Sequence, residues 1–286
     1  MSFVTDTQAP AALFPGQGSH TPGMRDLVAA RAPDLLDRCC ELVGEDPFAR
    51  VEESTRFAQP AIFCASLAGW DALALEPSAA AGHSLGELAA LVAAGVLRRE
   101  DGLELVVLRG RLMAEADDAG SMLALVGATE EEAREIAAAS GVTVANDNAP
   151  GQVVLSGPRD ALAAAEAAAG ERGRRALPLD VAGAFHSPSM APAVAPFRAA
   201  LDDVEIREPR FPVVSCSTTR PFGDVREELA AALTKPVRWR ETMLALHAGG
   251  VRRFVEVGPG KVLARMGKRI LPDGKVEAPE LETAHA

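Results

Sequence analysis

The stretch that most limits the fold is 79–95, where the apolar segment Ala79-Ala80-Ala81-Gly82 runs into His83-Ser84-Leu85-Gly86 and then into helical spacing. Gly82-x-Ser84-x-Gly86 between a strand and a helix is the setting of a nucleophile elbow. The flanking glycines let strand and helix approach closely, and the tight turn lifts the serine hydroxyl to the helix N-terminus. There the helix dipole and the backbone N–H of Leu85 can face a developing oxyanion. The bare pattern also suits a serine N-cap between two turn glycines, so the surrounding chain has to decide.

Ala11 to Phe14 is a short apolar run ending in Pro15-Gly16-Gln17-Gly18-Ser19, which reads as a buried strand and a glycine-rich turn. Residues 26–43 have helical spacing broken near Pro33. Gln59-Pro60 reads as a helix start, with proline in the first position and Ile62, Phe63, Leu67 and Trp70 behind it. A further helix is predicted over 101–116. The pattern then changes to strand (122–126), helix (129–139), strand (142–145), turn (146–151), strand (152–156), helix (158–170) and strand (175–179). That order is ferredoxin-like. Single apolar strands (213–216, 253–257) and helices follow, and a polar, frayed tail is expected from Pro272. The predicted class is therefore α/β: an α/β-hydrolase-like large domain with a parallel sheet, 1–120 and 188–286, interrupted by an inserted ferredoxin-like small subdomain, 121–187.

Composition excludes several functions. With 40 acidic against 29 basic residues, a net charge of −11, the chain lacks the basic footprint of a nucleic-acid binder. Its four cysteines show no CxxC spacing, which fits reduced thiols in a cytoplasmic protein. Met1 to Pro10 has neither a basic start nor an apolar run, and no apolar stretch reaches 18 residues, so neither a signal peptide nor membrane association is expected. Gly16-Gln17-Gly18 and Gly258-Pro259-Gly260-Lys261 lack the spacing of a phosphate-binding loop. The basic clusters Arg172, Arg174, Arg175 and Lys261, Arg265, Lys268, Arg269 read as solvated charge, with contact to an anionic ligand or an acidic partner protein as the alternative.

Read alone, Arg109 among Val106, Val107 and Leu108 is either a partnered core charge or a ligand clamp, and His186 is a base or a capping histidine. Arg111, two residues on, should point away into solvent. Eight ordered motifs add a resemblance. Phe14-Pro15-Gly16-Gln17-Gly18-Ser19, Gln59-Pro60-Ala61, Gly82-His83-Ser84-Leu85-Gly86-Glu87 and Leu108-Arg109-Gly110 with Met113 are the first four. Asn148-Ala149-Pro150-Gly151-Gln152-Val153-Val154, Ala184-Phe185-His186-Ser187-Pro188, Lys235-Pro236-Val237-Arg238-Trp239 and Val257-Gly258-Pro259-Gly260-Lys261-Val262-Leu263 complete them. Together, over 11–271, they resemble malonyl-CoA:acyl carrier protein transacylases and the related acyltransferase domains of polyketide synthases.

The resemblance implies transfer of a malonyl group from malonyl-CoA to the phosphopantetheine thiol of an acyl carrier protein, in fatty acid or polyketide biosynthesis. It implies Ser84 as nucleophile, His186 as base, and the backbone N–H groups of Gln17 and Leu85 as oxyanion hole. Arg109 would hold the malonyl carboxylate, for which a guanidinium offers two parallel donors. A backbone carbonyl within 229–239 is expected to orient His186; Ala232 stands where the family often has Gln, and His20 where many relatives have Gln. Phe185 beside His186 would crowd an α-methyl branch, favouring malonyl over methylmalonyl. No metal and no cofactor beyond the CoA thioester are expected, and the chain is expected to be a monomer. Two rivals are a thioester hydrolase using the same dyad, for which an anchored carboxylate has no obvious use, and a non-catalytic module that docks a carrier protein.

Overall fold

The computed structural model describes residues 8–117 and 119–281. Its strands, in chain order, are β1 (Ala11–Phe14), β2 (Ala79–Gly82), β3 (Gly120–Val126), β4 (Thr143–Ala149), β5 (Gln152–Pro158), β6 (Arg175–Leu179), β7 (Val213–Val214), β8 (Arg253–Glu256) and β9 (Lys275–Glu277). They form two sheets. The larger lobe holds β7-β2-β1-β8-β9, every neighbouring pair parallel. The smaller holds β4-β5-β3-β6, every pair antiparallel. This is the predicted α/β fold with its ferredoxin-like insertion.

β1 and β2 are buried at every position because helices cover both faces of their sheet, as parallel sheets require. The chain first lays down α1 (Met24–Arg31), α2 (Pro33–Val43) and α3 (Thr55–Leu73). After β2 come α4 (Gly86–Ala93) and α5 (Arg99–Ala116), and α5 packs along α3. In the small lobe, α6 (Glu130–Ser140) and α7 (Arg159–Glu171) cover one face of the antiparallel sheet. Thr129 and Glu132 close a capping box on α6. The large lobe then resumes with α8 (Ala191–Asp202), α9 (Val225–Ala231), α10 (Trp239–Ala248) and α11 (Val262–Ile270).

Three expectations are corrected. α3 begins at Thr55, one turn before Gln59-Pro60, because the Ser54 hydroxyl accepts the Arg56 N–H and caps the helix there. Pro60 therefore lies inside the helix. Asn146-Asp147-Asn148 is not a turn; it is the end of β4, and only Pro150 and Gly151 separate β4 from β5. These three polar residues are buried, and each is held from the large lobe. Asn146 bridges Val237, Asp147 receives Arg240, and Asn148 meets His83. The tail, expected to fray from Pro272, instead returns as β9, with Val276 buried beside Phe254. Residues 282–286 of that tail lie outside the described residues. Among the described residues, no helix is long and apolar enough to cross a membrane.

Candidate active site

The turn between β2 and α4 is built by close packing that admits no side chain at either glycine. A Cβ on Gly82 would fall 2.0 Å from the carbonyl carbon of Gly86, and one on Gly86 would fall 2.2 Å from the Phe14 oxygen. His83 N–H donates to that same Phe14 oxygen at 2.9 Å, tying the elbow to the end of β1. Ser84 is left with φ of 55°, in the left-handed region that non-glycine residues seldom occupy. His186, in the loop after β6, has φ of 56°. The two strained residues face one another.

His186 Nδ1 lies 3.1 Å from the carbonyl oxygens of both Ala232 and Lys235. Carbonyls only accept, so Nδ1 carries the proton and Nε2 is left as an acceptor. The Ser84 hydroxyl donates to that Nε2 at 2.8 Å. His186 is 4% exposed. Burial, and then the nearby Arg109 charge, push its pKa down to about 3, so the imidazole is neutral at neutral pH. The orienting carbonyl expected within 229–239 is thus supplied twice, and Ala232 contributes through its backbone.

Arg109, on α5, is buried and donates from Nη2 to Ser84 Oγ at 3.0 Å and from Nη1 to Gln59 Oε1 at 2.6 Å. Burial lowers its pKa to about 10, which leaves it charged. Among the described residues, no carboxylate lies within 4.0 Å of its nitrogens. Arg111 faces outward, as expected. One turn below Ser84, Glu87 is buried, and its Oε1 accepts the Cys216 N–H at 2.7 Å. Burial raises the Glu87 pKa to about 7.

These groups open into a cavity of about 590 Å³ between the lobes. Gln17, Leu85, Gln59 and Met113 line it from the large lobe, and Met122, Asn148, Val154 and Leu179 from the small one. Phe185 and His186 close it where the chain returns. The cavity thus brings together all five site residues named from the sequence: Gln17, Ser84, Leu85, Arg109 and His186. His20 also borders it, at 3.2 Å from a Glu52 carboxylate oxygen. Of the basic clusters, Arg172 and Arg174 pair with Glu135 and Glu132, and Lys261 with Glu280. Arg269 donates to Gln152 at 2.8 Å and to the Pro150 carbonyl.

Three residues went unassigned in the sequence. Gln59 holds Arg109, Asn148 accepts from His83 Nε2 at 2.8 Å, and Glu87 lies one turn beyond Ser84. Each belongs to a quoted motif, but only Gln59 had a further local signal, its spacing of four from Thr55 on one helix face.

The acyl transferase domain model matches residues 13–282. The chain belongs to the acyl transferase domain family. This family member is 42% identical over 279 residues to the polyketide biosynthesis protein ThaF of Burkholderia thailandensis, a match covering 92% of this chain but only 24% of ThaF. The chain therefore spans about a quarter of that relative's length. It is 36% identical over 288 residues to the malonyl CoA-acyl carrier protein transacylase of Haemophilus influenzae, covering 92% of each. Among solved structures, it is similar to the malonyl-CoA:acyl carrier protein transacylase of Xanthomonas oryzae pv. oryzae, with a TM-score of 0.89 and 35% identity, over 96% of this chain and 95% of that one.

Proposed function

We propose that this acyltransferase moves a malonyl group from malonyl-CoA to the phosphopantetheine thiol of an acyl carrier protein, in fatty acid or polyketide synthesis. The observation that carries the reading is a buried cation, Arg109, that has no carboxylate within 4.0 Å among the described residues and lies 3.0 Å from the hydroxyl of a serine already hydrogen-bonded to a neutral histidine. A general esterase has no use for such a charge, whereas an acyl group ending in a carboxylate does.

In the first half-reaction, Ser84 Oγ attacks the thioester carbonyl carbon while its proton passes to His186 Nε2. The carbonyl oxygen becomes an oxyanion facing the backbone N–H groups of Gln17 and Leu85, where each donor is worth roughly 100-fold or more in rate. The C–S bond then breaks, and the CoA sulfur takes the proton back from His186. The malonyl ester on Ser84 keeps its carboxylate against Arg109. In the second half-reaction, the carrier's thiol gives its proton to His186 and attacks the ester, and Ser84 leaves with that proton. The carbonyls of Ala232 and Lys235 support the imidazolium formed in each half. This chemistry calls on no metal or redox cofactor.

Intact-protein mass spectrometry after brief mixing with malonyl-CoA tests the reading. Wild type is expected to gain one malonyl mass that a holo carrier protein removes, and Ser84→Ala to gain none. No adduct and no released CoA would sink the transferase. Free CoA without a lasting adduct would favour a hydrolase.

A further inference from the structure

We infer that Gln59 is the residue that sets selectivity for acids at this site, because its neutral amide aims Arg109 while leaving the guanidinium charge free for the acyl carboxylate. The inference rests on the proposed malonyl clamp and deepens it.

Gln59 is 1% exposed, and both ends of its amide are committed. Oε1 accepts Arg109 Nη1 at 2.6 Å, while Nε2 donates to Thr55 Oγ1 at 2.8 Å and lies 3.3 Å from Met113 Sδ. Turning the amide over would set an NH2 group against the guanidinium, so its direction is fixed. Aim is therefore delivered without compensating charge. A buried guanidinium is ordinarily paired with a carboxylate, because desolvating it alone is expensive. Glu87, the buried acid whose charge acts on Arg109, has one oxygen taken by the Cys216 N–H and stands outside ion-pairing distance. A carboxylate at position 59 would satisfy Arg109 internally and compete with the substrate's own. An apolar residue there would leave the charge but lose the aim. An amide does neither.

Single-turnover loading of Ser84 from malonyl-CoA and from acetyl-CoA, followed by intact mass, reads the ratio of the two rates. Gln59→Glu nearly preserves shape and is expected to lower malonyl loading roughly 100-fold, the scale of removing a buried charge partner. Acetyl loading, with no carboxylate to hold, should change far less and also reports that the protein is folded. Gln59→Met keeps the charge and removes the aim. It should raise KM for malonyl-CoA roughly tenfold with the acetyl rate little affected, and it carries the test if the Glu variant does not fold.

Arg109→Ala, measured alongside, separates the two ideas. If it changes the ratio while both Gln59 variants keep the wild-type ratio, the inference about Gln59 is overturned and the clamp stands. Malonyl and acetyl rates falling together in the Gln59 variants would mean a purely structural role and would also overturn it. A ratio unmoved in Arg109→Ala would overturn the clamp and the inference with it.

Discussion

Ser84 lies between a histidine that burial keeps neutral and a buried guanidinium that, among the described residues, has no carboxylate within ion-pairing distance. Because His186 is pushed down to about 3 from an ordinary 6.5, kcat/KM for malonyl-CoA should show no fall centred near pH 6.5. The measurement is a profile from pH 8 downward for as long as the protein stays folded. Burial is the larger cause and Arg109 the second, so Arg109→Ala, assayed with acetyl-CoA, should move the acid limb part of the way toward 6.5. The same shift bears on stability. Between about 6.5 and 3 the unfolded chain binds the His186 proton and the folded chain does not. The stabilisation is thus complete above that window and lost as the pH falls through it. Urea melts should show wild type losing stability relative to His186→Asn between pH 7.5 and pH 5; parallel losses would refute the assignment.

At the scale of elements, the elbow glycines make the sharpest prediction. Gly82→Ala or Gly86→Ala drives a methyl group into backbone at 2.0–2.2 Å, where nothing flexible can yield. A loss of about 3 kcal/mol or more is expected in urea denaturation, with loading abolished. Gly170→Ala, near the end of α7 with open space around its Cβ, should instead stabilise by about 0.5–1 kcal/mol. The sequence made the first case legible, because a glycine on each side of a serine between strand and helix has few other uses. It also made Ser84, His186 and Arg109 legible as candidates, through residue type and motif. Asn146-Asp147-Asn148 misled because its turn chemistry is local, whereas its partners Val237, Arg240 and His83 lie far along the chain. Gln59 went unassigned for the same reason: its partner Arg109 lies 50 residues away. β9 was hidden because a three-residue strand with one buried position has no readable period.

At the scale of the molecule, the cavity is lined by both lobes, which share part of one core through Met122, Ala145 and Val154, and a polar seam along β4 adds to that contact. β4 meets the large lobe through backbone bonds, Asp147 N–H to the Val237 carbonyl at 2.9 Å and Val237 N–H to the Ala145 carbonyl at 2.8 Å. Arg240 on α10 adds the side-chain half, donating to Asp147 at 2.8 Å and to Glu130 at 2.6 Å. Glu130, Asp147 and Glu241 crowd their carboxylate oxygens together, and the Arg240 charge offsets their repulsion. Burial already pushes the Asp147 carboxyl up, and Arg240 is what holds it back. Removing that guanidinium leaves a buried acid that must protonate or turn outward, and the very next residue on the strand, Asn148, is the contact to His83 beside Ser84. Arg240→Ala is therefore expected to cost about 2 kcal/mol, below the cost of breaking a fully buried pair, because Asp147 is buried but Arg240 keeps about a quarter of its side chain exposed. It should also slow malonyl loading roughly 10- to 100-fold, although Arg240 touches no substrate. Hydrogen exchange would locate the cause, with amides of 145–148 losing protection while those of β1 and β2 keep theirs. If loading slows and that protection is unchanged, the seam does not position the site, and the loss must arise elsewhere in α10.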